Sequence, residues 1–127
     1  MKQKTNICLA FLVFLFLSMP ITQATDDVDK ERILVELMSA IAKNDHAAFI
    51  ENGTQNFKDG ISKDAFGSVV DQLGVLINDG YEPEFLAELN QRGMKVYLWK
   101  ISYSGSIENT LAKLVMSNNK VAGFWLQ

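Results

Sequence analysis

The sequence predicts an α+β domain with its helices first and an antiparallel sheet after them. Two observations carry this. Apolar residues recur at helical spacing between Ile33 and Ile77, and from Tyr81 to Gln127 the pattern changes to four strand-like segments separated by turn residues. Helices segregated from strands along the chain favour an antiparallel sheet covered on one face over alternating parallel units. The chain has 127 residues, of which 21% are charged and 48% hydrophobic, enough for one small globular domain.

Part of that hydrophobic content belongs to the N-terminus. Lys2 and Lys4 precede an apolar run, Ile7 to Met19, broken only by Ser18, and Thr22-Gln23-Ala24 has the small-x-small form of a cleavage site. Residues 1–24 therefore read as a cleaved signal peptide and 25–127 as a single domain. A membrane anchor is the competing reading, but the run is short of the roughly 20 residues a spanning helix needs. Cleavage would remove Cys8, and the mature chain would hold no thiol for a disulfide, a metal or a nucleophile. With Lys2 and Lys4 gone, ten of the 12 basic residues face 15 acidic ones, a net charge of −5. So acidic a chain lacks the basic footprint that nucleic acid or anionic lipid requires, and no stable membrane anchor would remain.

The elements follow in order. Thr25 to Asp29 is a short acidic leader whose carboxylates suit the start of a helix. Val28, Ile33, Leu34, Leu37, Met38, Ile41 and Ala42 then make one apolar stripe, with Lys30, Arg32, Glu36 and Lys43 largely opposite. Asn44-Asp45 ends this helix, and Asp45 is placed to cap a short second one, His46 to Glu51, ending at Asn52-Gly53. Asn52-Gly53-Thr54 has the form of a glycosylation sequon, a pattern common by chance. Thr54 to Ile61 reads as loop. Ser62 is the expected cap of a third helix whose stripe is Phe66, Val69, Val70, Leu73, Leu76 and Ile77, stopped at Asn78-Asp79-Gly80. Gly67 and Gly74 inside it are either close-approach positions or merely tolerated, at about 1 kcal/mol each against alanine.

In the sheet region, Pro83 restricts the first strand to an edge or places itself at the strand's beginning, with Phe85, Ala87 and Leu89 alternating against Glu84, Leu86, Glu88 and Asn90. Arg92-Gly93 turns the chain. The second strand is apolar on both faces, with Met94, Val96 and Leu98 on one and Tyr97, Trp99, Ile101 and Tyr103 on the other, which marks a central strand covered twice. The third sets Ala112, Leu114 and Met116 against Leu111, Lys113 and Val115. After the Asn118-Asn119 hairpin, the fourth sets Ala122, Phe124 and Leu126 against Val121, Gly123 and Trp125.

The N-terminal amphipathic helix running into KNDHAAFI, the helix SKDAFGSVVDQLG and the closing hairpin LVMSNNKVAGFWLQ together resemble the nuclear-transport-factor-2-like superfamily, of cystatin-like cone fold, and in particular its small secreted bacterial branch. The resemblance spans Val28 to Gln127. It implies three helices packed on a strongly curved four-stranded antiparallel sheet, often a pocket inside the cone, and frequently a homodimer through the sheet face. It also implies export to a bacterial periplasm or beyond the cell. Enzymes of the superfamily place an acid or base and an oxyanion donor in the pocket. This chain departs from them, with no tyrosine in its first helix and no aspartate on its central strands.

Candidate functional residues are few. His46, the only histidine, has a carboxylate neighbour in Asp45 and would be the general base of an enzyme reading. Adjacent helical residues do not face one another, however, so a capping Asp45 and a surface His46 are the simpler expectation. One histidine and no mature cysteine give no metal site and no evident cofactor. Tyr97, Trp99, Tyr103 and Trp125 form an amphipathic aromatic set for core packing, an interface or a ligand pocket, provided strands two and four lie close. The expected function is therefore an exported, non-catalytic binding or interaction module. The alternative is a carrier of a small apolar or carboxylate ligand, or an isomerase-, cyclase- or hydrolase-type enzyme, working through the pocket.

Overall fold

A computed structural model describes residues 29–127, so the expected signal peptide over 1–24, Cys8 and the leader through Val28 lie outside the described residues. Four helices precede four strands: α1 (Lys30–Ala42), α2 (His46–Ile50), α3 (Gln55–Gly60), α4 (Lys63–Asn78), then β1 (Tyr81–Gln91), β2 (Met94–Tyr103), β3 (Thr110–Ser117) and β4 (Lys120–Leu126). The strands pair antiparallel in sequence order, which is the α+β layout expected. Among the described residues no helix is long and apolar enough to cross a membrane.

Each helix begins where a short polar side chain accepts from an otherwise unpaired backbone N–H. Asp29 accepts from Arg32 N at 3.1 Å, Asp45 from Ala48 N at 3.0 Å, Thr54 from Phe57 N at 3.2 Å and Ser62 from Ala65 N at 3.1 Å. The Thr54 cap belongs to α3, a helix in the stretch expected to be loop. Its six residues hold only one apolar anchor, the buried Phe57, too few for a periodic signal. Asn44 stops α1 in the left-handed region, at φ 53°.

Two helices form the covering layer. Gly74 of α4 is buried against α1, where a Cβ would lie 3.6 Å from the Ile41 carbonyl oxygen, while a Cβ at Gly67 would meet nothing. Gly74 is thus the close-approach position and Gly67 the tolerated one. The Asn78 side-chain amide donates to the Ala42 carbonyl at 2.9 Å and ties the ends of the two helices together. Their stripes join the inner sheet face in one core, in which Leu34, Met38, Ile41, Ile101, Ala112 and Leu114 have no exposed surface.

The hairpin turns are set by residues that accept positive φ. Arg92-Gly93 lie at 52° and 78°, and Asn118-Asn119 at 49° and 63°, the handedness that matches the twist of the flanking strands. Pro83 lies on β1, the edge strand, as its missing N–H requires.

The sheet departs from simple alternation twice. Pairing slips between Phe85 and Ala87 on β1, and between Val115 and Met116 opposite β4. Each slip reverses the faces beyond it. Phe85 therefore meets Trp99 on the inner face at 5.8 Å, whereas Ala87 and Leu89 pair with Leu98 and Val96, which point outward. Likewise Val121 joins the inner core at 1% exposure, although strict alternation would group it with Gly123 and Trp125. The second strand is central, but the helices cover only its Tyr97 to Tyr103 face. Its other face is closed in part by the sheet's own side chains, with Val96 at 2% exposure.

Candidate functional site

Between α4 and β4 the covering layer fails to close. At the N-terminal end of α4, Phe66 is buried in an aromatic cluster, 5.0 Å from Phe49, which in turn lies 5.7 Å from Phe57 and 6.1 Å from Phe124. At its C-terminal end Gly74 and Ile77 are buried. The intervening Val69 and Leu73 are only half-buried, and β4 presents Phe124 and Leu126 to the same space. The gap is a cavity of about 180 Å³, bounded by Ile41, Phe66, Val69, Leu73, Phe124 and Leu126, with Gln72 as the polar side chain on its wall. No titratable side chain lines it.

His46 does not reach this cavity. Its ring packs edge-on against Phe66 at 5.6 Å, and Nε2 lies 2.7 Å from the Ile61 carbonyl oxygen. A carbonyl only accepts, so Nε2 carries the proton and donates. The histidine is half-buried and tethers α2 to the start of α4, a structural role instead of the free surface position expected. Asp45 caps α2, as expected.

The four aromatics do not form one set. Tyr97, Trp99 and Tyr103 are inner-face core residues at 1%, 1% and 6% exposure. Trp125 lies on the outer face at 49% exposure, with β3 between its strand and β2. Three of the four thus pack the core, and only Trp125 meets solvent broadly. The Lys30 ammonium lies 4.9 Å from the Phe85 ring centroid and 5.8 Å from that of Tyr97, fastening the start of α1 over the first two strands.

Tyr103 and its cross-strand partner Tyr81 are the polar feature of the inner face. The Tyr103 hydroxyl is buried and has no hydrogen-bond partner among the described residues. Burial pushes the Tyr81 phenol above its ordinary value of 10.0, and the neighbouring Tyr103 adds to the shift. A phenol whose proton is held more tightly is a poor acid, so Tyr81 meets a neighbour as a neutral hydroxyl. Among the described residues no group of three or more His, Cys, Asp or Glu is placed to hold a metal ion.

No family model and no curated protein matches the sequence. Among solved structures the chain is similar to an uncharacterized cystatin fold protein from Novosphingobium aromaticivorans, at 9% identity and a TM-score of 0.42, covering 76% of this chain and 95% of that one. It is also similar to an NTF2-like protein of unknown function from Cytophaga hutchinsonii, at 8% identity and a TM-score of 0.38, covering 76% of this chain and 88% of that one. The two descriptions name a fold and no activity. Neither names a ligand, so the chemistry of the site rests on this chain's own residues.

Proposed function

We propose that this protein is an exported, non-catalytic binding module that takes a small apolar group into the cavity between α4 and β4. The observation that carries the proposal is the lining of that cavity, which is apolar apart from one amide. Its size sets the class of guest. A dry cavity of about 150 Å³ lined by Leu, Ile and Phe side chains accepts benzene, whereas whole drug-sized ligands occupy roughly 300–1,000 Å³. At about 180 Å³ the space suits one aromatic ring, a short branched alkyl group or an apolar side chain of a partner. General acid–base chemistry would need a titratable group at the guest. None lines the wall, and the proton on His46 Nε2 is held by Ile61.

Thermal melts with benzene, toluene and indole test this. A guest at about 100 times its dissociation constant adds roughly 2.7 kcal/mol to stability. The shift is expected for the wild type and not for Val69→Phe, whose added ring fills the cavity. No shift with any of the three compounds would refute the proposal. Export is supported by the pattern of residues 1–24, and the mass of protein recovered after secretion tests it.

A further inference from the structure

The outer sheet face holds a second site, unrelated to the cavity. A groove of about 570 Å³ runs across it, with Met94, Val96, Val115 and Ala122 along the floor and Trp125 as a wall. The indole has its room from a glycine. A Cβ at position 123 would overlap the outer edge of the Trp125 ring, so the glycine is what lets the ring pack against β4 there. Position 125 pairs with Lys113 across β3 and β4, and the Lys113 ammonium lies 5.3 Å from the Trp125 ring centroid.

The charge of this groove is opposite to that of the chain. The protein carries a formal net charge of −3, yet the titratable groups lining the groove are Arg92 and Lys113, with no carboxylate among its lining residues. Other lysines of the same sheet are neutralised. Lys100 pairs with Glu84 at 2.8 Å and Lys95 with Glu88 at 3.6 Å. Arg92 and Lys113 form no ion pair among the described residues. Two unneutralised cations beside an apolar floor and a half-exposed indole describe a receptor for a guest that is aromatic and anionic.

We infer that the groove of Trp125, Lys113 and Arg92 binds a small aromatic carboxylate, its ring against the indole and its carboxylate on the two cations. Stacking on the indole is sequence- and shape-tolerant, whereas the carboxylate selects for charge. The volume falls within the range of small-molecule sites. Because it uses neither the α4–β4 cavity nor an uncharged guest, this site stands or falls independently of the proposed function.

The test is titration of the purified protein with 2-naphthoate and with uncharged 2-naphthamide, followed by the indole N–H resonances of Trp125 and Trp99. Naphthoate is expected to move the Trp125 signal and leave that of the buried Trp99 in place. Binding is expected to weaken about tenfold in each of Lys113→Gln and Arg92→Gln, and as salt rises to about 0.5 M. Gly123→Ala, which displaces the ring without removing it, is expected to weaken binding as well. Three results would overturn the inference: no naphthoate binding; equal affinity for the amide; or naphthoate binding that neither cation variant weakens. A fourth would be sedimentation showing a dimer that Trp125→Ala dissociates, since a second copy would then cover this face. Arg92 is exposed and Lys113 half-buried with its ammonium at the groove, so both variants are expected to fold, and far-UV circular dichroism verifies it.

Discussion

Replacing Tyr103 by phenylalanine is expected to make the protein more stable. The ring is 6% exposed and the hydroxyl has no partner among the described residues, so folding strips the oxygen of water and returns no hydrogen bond. Mutational data put that loss at about 1–3 kcal/mol for a neutral polar group. Phenylalanine keeps the ring, its packing on the inner face and the strand preference, and removes only the oxygen. Against this, the space left by the oxygen forfeits a few dispersion contacts of about 0.1–0.2 kcal/mol each. The net gain is therefore about 1–2 kcal/mol. For a domain of this size each kcal/mol moves the melting temperature by roughly 4–8 °C. Urea unfolding followed by circular dichroism measures it, with an unchanged m-value showing that the native and denatured states keep their exposure. A loss of 1 kcal/mol or more would refute the reasoning, because it would mean that the hydroxyl is satisfied in the folded protein.

Other outcomes follow from the same geometry. Tyr81 holds its proton more tightly folded than unfolded, so above about pH 10 the unfolded chain loses a proton that the native state retains, and stability declines with pH from there. Urea midpoints across alkaline pH are expected to show that decline in wild type and a shallower one in Tyr81→Phe. Leu34→Ala opens a hole at a position with no exposed surface and is expected to cost about 2–5 kcal/mol in the same unfolding assay. Asp45→Ala removes the acceptor for Ala48 N and is expected to cost about 1 kcal/mol, with stability unchanged in Asp45→Asn.

Much of the fold was legible because its signals are local. The α1 and α4 stripes, their stops at Asn44 and Gly80, the cap at Ser62, the edge position of Pro83 and the two hairpin turns are each decided by a handful of neighbouring residues. What was not legible came from non-local pairing. Alternation sets Ala87 and Leu89 beside Phe85, but a slip after Phe85 sends them to the outer face. Nothing in YEPEFLAELNQ marks that slip, which exists only in the pairing of β1 with β2. The same holds for Val121, whose backbone also exchanges hydrogen bonds with Asn52 and Thr54, in a segment remote in sequence. The α3 helix had one usable sign in Thr54, a residue suited to capping, with too few apolar residues behind it to form a stripe.

The candidate sites divide the same way. Sequence marked Tyr97, Trp99, Tyr103 and Trp125 as a group by type and spacing, and the order β1-β2-β3-β4 separated Trp125 from the rest. It also marked His46 as chemically able, whereas the Ile61 carbonyl that engages it lies 15 residues away. Gly123 could be read only as a weak spot in a strand until the Trp125 ring was seen to pack against it.

By itself the sequence determined the element order, the α+β class, the segregation of one helical layer from one meander, and the acidic, His- and Cys-poor composition. These follow from periodicity, capping and composition, all short-range or summed properties. Tertiary structure alone decided which aromatics are core, where α4 and β4 leave a cavity, and how Arg92, Lys113 and Trp125 come to share a groove. Those depend on sheet register and on how two layers close, and a one-residue slip in register exchanges the buried face of a strand for the exposed one.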